Sequence, residues 1–351
     1  MTIIYVFNNY TDFSRVKSNI NNYLEKELPA CKFHPKNGKL CTYGFARMGI
    51  ERMYLSQNIS YTIQLRIRPQ LMITGFDYDN IFNARDIPML YNRFSEIMKR
   101  IGADKICSLK EWKVNRIDYA ADIILDQELI PKYIELFKKG NIPEDIRNRE
   151  TSKKYFNEGN NLYLKSTAYC INFYDRWTTS LLKQKKHPKK YNNIENRYGV
   201  MRFEVQLHNP NIFKLKKAGH IKNNTVEDFL NLDLARKYIF GHYKTLIGTG
   251  DYIEYNRALQ KCKSHAQRKI IELVHDMGSI YKAKEVFINS GDDKRKLEKQ
   301  FSSILQKLHL QGINPVTLKK GELKNLYPKI QYQIDNSYKI NIGRSKVKHS
   351  T

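Results

Sequence analysis

The chain has 351 residues, 41% of them hydrophobic, and 61 lysines and arginines stand against 35 aspartates and glutamates, for a formal charge of +26. The length fits two or three domains, and the apolar content excludes a polyelectrolyte too polar to fold. The cationic excess calls for a polyanion; no apolar run approaches the roughly 20 residues of a membrane span, so the expected partner is nucleic acid, and the expected location cytoplasmic.

Thr2–Phe7 reads as a short apolar strand, and MTIIYVFNNYTDF lacks the basic start and small-residue cleavage site of a signal peptide. Phe13–Leu28 has helical character. Strands are expected over Leu40–Met48 and Glu51–Pro69. In the second, Ile63, Leu65 and Ile67 alternate with Gln64, Arg66 and Arg68, and the arginine face is either solvated or tracks phosphates. Pro69 ends this strand, and Met72–Pro88 reads as a loop. Asp86 and Pro88 then signal a helix over Ile87–Ile101. Glu111–Leu125 is the next strand. Its apolar register shifts once near Arg116, which suggests a bulge, and Asp118 and Asp122 fall on one face. Such a pair repels unless a cation or an arginine sits between its members.

Glu128–Lys139 reads as a helix closed by Gly140, and Asn141–Asn160 as a polar loop. NLYLKSTAYCINFYDR, Asn161 to Arg176, alternates, turns at Ser-Thr-Ala and resumes with β-formers, the pattern of a hairpin. The basic stretch LLKQKKHPKKYNN follows, a solvated loop or a phosphate clamp that includes Lys185, Lys186, Lys189 and Lys190. Val200–Leu207 is a strand with Arg202, Glu204 and Gln206 on one face. From Asn209 onward the spacing becomes helical. Ala266–Leu310 offers three helices separated by Gly278-Ser279 and Ser290-Gly291, which permits a helix-turn-helix-like module with Lys294–Leu308 as the reading helix. Lys294 and Arg295 are its leading cations. The expected architecture is α+β: an antiparallel sheet of about five strands with helices on one face (residues 1–209), an all-helical DNA-binding domain (210–336) and a basic flexible tail (337–351).

The five cysteines are scattered, with no C-x-x-C pair, which argues against zinc and disulfides and for free thiols. Phosphate-loop, dinucleotide and G-x-S-x-G motifs are absent, and so is any His-x-His pair. What remains is tyrosine, carboxylates and cationic charge around a sheet. A tyrosine near carboxylates that hold a divalent metal can attack a phosphodiester. Any one of the 24 tyrosines, taken alone, is more often structural.

At these residues the chain resembles the rolling-circle replication initiators of filamentous phages, the gene II and gene X proteins, which are related in pattern to the initiators of small staphylococcal-type plasmids. The matching segments, in the same order, are RPQLMITGFDYDNIF, VNRIDYAAD, NLYLKSTAYCINFYDR and MRFEVQL, with a weaker fifth in ILQKLHLQGINPV. The resemblance implies that Tyr174 is the nucleophile, that Asp118 and Glu204 are metal ligands with Asp122 a third candidate, and that Arg202, Arg116 and Arg176 orient carboxylates or phosphate. Arg176 stands where the family commonly has Lys. Without a histidine pair, coordination rests on carboxylates, which suit Mg²⁺ or Mn²⁺. The activity implied is nicking of one strand at a duplex origin through a 5′-phosphotyrosine link, followed by rejoining, with host helicase and polymerase as further partners. A conjugative or transposon relaxase and a non-enzymatic DNA-binding regulator are the alternatives.

Overall fold

Among the described residues, seven strands form a single antiparallel sheet in the order β2-β3-β1-β4-β7-β6-β5. They are β1 (Thr2–Phe7), β2 (Phe45–Leu55), β3 (Asn58–Ile67), β4 (Lys113–Ile124), β5 (Asn161–Lys165), β6 (Tyr169–Asp175) and β7 (Val200–His208). The structure is a computed structural model that describes residues 1–27, 45–55, 58–74, 84–103, 106, 108–156, 160–186, 188 and 194–319. The α+β class is as expected, with seven strands in place of about five.

The helices are α1 (Tyr10–Glu27), α2 (Pro69–Thr74), α3 (Ile87–Arg100), α4 (Leu129–Lys138), α5 (Glu144–Arg147), α6 (Glu150–Phe156), α7 (Arg176–Lys186), α8 (Asn209–Lys217), α9 (Val226–Phe229), α10 (Leu232–Leu246), α11 (Tyr255–Lys261), α12 (His265–Met277), α13 (Ile280–Ile288) and α14 (Lys294–Leu310).

Strict alternation gives the sheet two unlike faces. Ile3, Ile63, Leu65, Ile117, Ala121, Ile123, Phe173, Phe203 and Val205 point into the core and are buried. Aromatic contacts fix the helices against this face. Phe13 of α1 meets Phe7, Phe94 of α3 meets Trp112, Phe137 of α4 meets Phe173, and Tyr238 and Tyr243 of α10 meet Tyr119 and Phe203. The Tyr119 hydroxyl donates to the Phe229 carbonyl at 2.9 Å, tying α9 to the middle of β4. The other face carries Gln64, Arg66, Arg116, Asp118, Asp122, Glu204, Gln206, His208, Asn172 and Tyr174 and stays partly open to solvent. The bulge expected in β4 is present. Thr2 of β1 pairs with Arg116 while Ile3 pairs with Val114, so Asn115 is skipped and polar side chains return to the open face.

Several local expectations are corrected. β2 runs unbroken through Gly49-Ile50, where two strands were expected. Met72–Thr74, expected as the start of a loop, is helical, because Pro69 occupies the first turn of α2 and Met72 finds a buried site. The polar stretch 141–160 holds α5 and α6, whose Ile146 and Ser152 are buried. Residues 176–186 are helical, so Lys185 and Lys186 end a helix where a loop was expected. Lys189, Lys190 and the basic stretch 337–351 lie outside the described residues. Among the described cysteines, Cys170 and Cys262 are free and buried. No helix among the described residues is long and apolar enough to cross a membrane.

Beyond α10, helices α12, α13 and α14 pack on one another. Gly278 ends α12 in the left-handed conformation at φ 73° and Ser279 caps α13, so a two-residue corner joins them.

Candidate active site on the open face

Three antiparallel strands bring the predicted residues together. β6 sits between β5 and β7, with Tyr174 opposite Arg202 and Asn172 opposite Glu204. β7 pairs with β4, placing Asp122 opposite Arg202 and Asp118 opposite Gln206. Beneath them, Phe173 and Phe203 stack in register with ring centroids 4.1 Å apart and planes 1° from parallel. A slip of one residue would put this pair in solvent and the polar set in the core, so the buried stack fixes the register that presents the site.

The Tyr174 hydroxyl donates to Glu204 Oε1 at 2.8 Å. The two residues are diagonal neighbours across the strand pair, within reach of long side chains. Neither is sealed in the core. Burial pushes the Glu204 carboxyl above the ordinary carboxylate range, opposed by the tyrosine hydroxyl and Arg202 and reinforced by Asp118 and Asp122. A carboxylate with raised proton affinity beside a phenol is suited to taking the phenolic proton.

Asp122 has a different role from the one expected of it. Its Oδ1 accepts from Arg202 Nε at 2.7 Å and its Oδ2 from Arg202 Nη2 at 2.8 Å and Arg176 Nη1 at 3.0 Å. Both guanidinium side chains are buried, 8% and 6% exposed. Asp122 is therefore the counter-charge of two arginines, and the expectation of a third metal ligand is corrected. Arg176 is likewise a buried anchor that ties the start of α7 to β4. Arg202 is held by the same carboxylate and acts on the site through its charge, which lowers the proton affinity of Glu204. Asp118 is paired bidentately with Arg116, at 2.8 and 3.2 Å, on a more exposed part of the face.

An open pocket of about 460 Å³ lies over the tyrosine, lined by Thr151, Asn161, Tyr163, Asn172, Tyr174, Thr179, Lys183 and Glu204. Sequence reasoning missed Asn172, Thr179 and Lys183, although the signal was there. Asn172 precedes Tyr174 by one strand period, and Thr179 and Lys183 are one helical turn apart on α7. It also missed Asp175, which is 1% exposed and builds the start of α7. Its Oδ1 accepts from the Trp177 and Thr178 amides at 2.9 and 3.3 Å, and its Oδ2 from Thr178 Oγ1 at 2.6 Å and Gln127 Nε2 at 2.7 Å. This capping fixes the start of α7, whose Thr179 and Lys183 line the pocket with Tyr174.

Among the described residues no three His, Cys, Asp or Glu side chains form a cluster able to hold a metal. Asp118 and Glu204 share one face, with both Asp118 oxygens held by Arg116 and Glu204 Oε1 by the Tyr174 hydroxyl. Mg²⁺ commonly uses one or two carboxylates and completes its shell with substrate phosphate and water, so these two would serve it only with Arg116 displaced from Asp118. Of the cations expected to meet DNA, Arg66, Arg68, Lys185, Lys186, Lys294 and Arg295 are exposed and Arg116 is half-buried. Comparison with protein-family models, with curated proteins and with solved structures finds no match.

Proposed function

We propose that the protein is a DNA strand transferase of the rolling-circle initiator type, which nicks one strand at an origin and later rejoins it. The observation that carries this reading is the 2.8 Å hydrogen bond from the Tyr174 phenol to Glu204 on a polar sheet face in a strongly cationic chain. In the proposed reaction the Tyr174 oxygen attacks phosphorus and its proton passes to Glu204. The bond from phosphorus to the 3′ oxygen breaks, and that oxygen leaves as a 3′-hydroxyl after taking a proton. The strand stays on the protein as a 5′-phosphotyrosine ester. The ester keeps the bond energy, so a 3′-hydroxyl can reverse the step without ATP.

Lys183 supplies positive charge at the pocket wall for the non-bridging phosphate oxygens. Arg202, fixed by Asp122, holds the field around Glu204. Asp118 and Glu204 would hold a Mg²⁺ or Mn²⁺ ion, which would neutralise phosphate charge when bound. In the same reading the cations of α14, Lys294 and Arg295 first among them, hold duplex DNA.

The test is a denaturing gel of protein incubated with single-stranded origin DNA and Mn²⁺. Wild type is expected to give a covalent adduct whose mass shift maps to the peptide containing Tyr174, and Tyr174→Phe to give none. An adduct that survives in Tyr174→Phe would overturn the assignment. Duplex binding with no adduct under any divalent ion would leave a non-enzymatic DNA-binding protein.

A further inference from the structure

A second concavity, of about 440 Å³, lies on the same sheet face and is lined by Thr2, Gln64, Arg66, Asn115, Arg116, Thr167, His208, Asn209 and Pro210. The bulge at Asn115 and the start of α8 at Asn209 form its walls, and Arg66 and Arg116 face each other across β1 through their common partner Thr2. It lies four residues along β7 from Glu204, about 13 Å at the rise of an extended strand. Side-chain contacts connect the two linings. Tyr163, which lines the first, donates to Cys170 Sγ at 3.5 Å, and Cys170 Sγ lies 3.4 Å from His208 Nε2, which lines the second.

We propose that this second concavity is a backbone-phosphate subsite for the single strand held at Tyr174, gripping the nucleotides next to the scissile phosphate. This rests on the proposed role of Tyr174. Two guanidinium groups, two asparagines, a glutamine, two threonines and an imidazole give a donor-rich lining suited to phosphate and sugar oxygens. Tyr163, in the lining of the first depression, offers a ring on which a base can stack. Asp118, paired with Arg116, borders the path; a phosphate arriving at Arg116 competes for its guanidinium and loosens Asp118 toward Glu204. Strand binding and the gathering of the two carboxylates are then linked.

The experiment measures anisotropy of fluorescein-labelled dT12, and of a duplex of equal length, between 50 and 300 mM NaCl with full-length protein. Arg66→Gln is expected to weaken dT12 binding about tenfold and to reduce the salt slope by about 0.7. Gln64→Arg, which adds a cation to the same wall, is expected to strengthen binding and steepen the slope, so the idea stays testable if Arg66→Gln unfolds. Unchanged dT12 binding in both variants overturns the subsite. An equal loss for single strand and duplex also overturns it, since that marks general attraction of polyanions. Tyr174→Phe separates the two claims. It should abolish the adduct and leave dT12 affinity unchanged, so an adduct that persists refutes the nucleophile while the Arg66 result still judges the subsite.

Discussion

At the scale of single residues, the site couples chemistry to a stability cost at Glu204. Burial shifts its carboxyl upward, so the folded chain holds the proton more tightly than the unfolded chain does. The charge on Glu204 is therefore a burden above its folded pKa, and the fold is relieved as pH falls through it. Glu204→Gln is expected to melt higher than wild type at neutral pH, with the difference shrinking in acid; a thermal-unfolding series across pH measures this, and a wild type that is the more stable at neutral pH contradicts it. The same substitution removes the proposed base, and nicking should fall about 10²- to 10⁴-fold. Asp122 behaves oppositely. Asp122→Asn leaves Arg202 and Arg176 buried without their counter-charge, at a cost of about 3 kcal/mol in urea unfolding. Asp118 and Asp122 look alike in sequence, four apart on one face. Asp122 holds two buried guanidinium groups, one of them Arg202 on the facing strand, whereas Asp118 holds only the half-buried Arg116 two residues away, and pairing between distant strands is not written in local spacing.

At the scale of elements, what was legible followed periodicity and what was not followed from tertiary contacts. The alternation in β3, β4 and β7 and the hairpin of β5 and β6 are local signals, and the structure carries them as read. The helices of residues 141–160 and 176–186 are not local signals: the first is helical because Ile146 and Ser152 find buried places, the second because Asp175 caps it. Gly140 illustrates the difference. The sequence suggests a left-handed helix end, yet its φ is not positive. A side chain there would put Cβ 2.3 Å from the Leu246 carbonyl oxygen, so the glycine is needed for the approach of α4 to the end of α10. Gly140→Ala should lower stability by about 1–3 kcal/mol through overpacking. Gly278→Ala meets nothing within 4 Å and carries only the left-handed penalty, about 1 kcal/mol. Denaturant midpoints of the pair check the ranking, and a larger loss at Gly278 would contradict it.

At the scale of the whole molecule, the charge of +26 is unevenly used. Around the tyrosine site, three arginines are paired with carboxylates: Arg202 and Arg176 with Asp122, and Arg116 with Asp118. α14 is different. Its single carboxylate, Glu298, is held by Lys284 of α13 at 2.6 Å, while Lys294, Arg295, Lys296, Lys299 and Lys307 are exposed along with Gln300, Ser302, Ser303 and Gln306. Cations set affinity for phosphate, and short polar side chains on the same helix can read base edges. If α14 holds duplex while the sheet holds the reacting strand, the two tasks should separate. Replacing Lys294 and Arg295 together by Glu should weaken binding of duplex DNA by an order of magnitude or more and flatten its salt slope by about two contacts' worth, roughly 1.8. Adduct formation on a single-stranded oligonucleotide should be unchanged, because neither residue lines the tyrosine pocket. Gel-shift titrations at several salt concentrations, run beside the adduct assay, measure both. A fall of the two activities in parallel would mean that one continuous surface serves both strands, and the division of labour between α14 and the sheet would have to be given up.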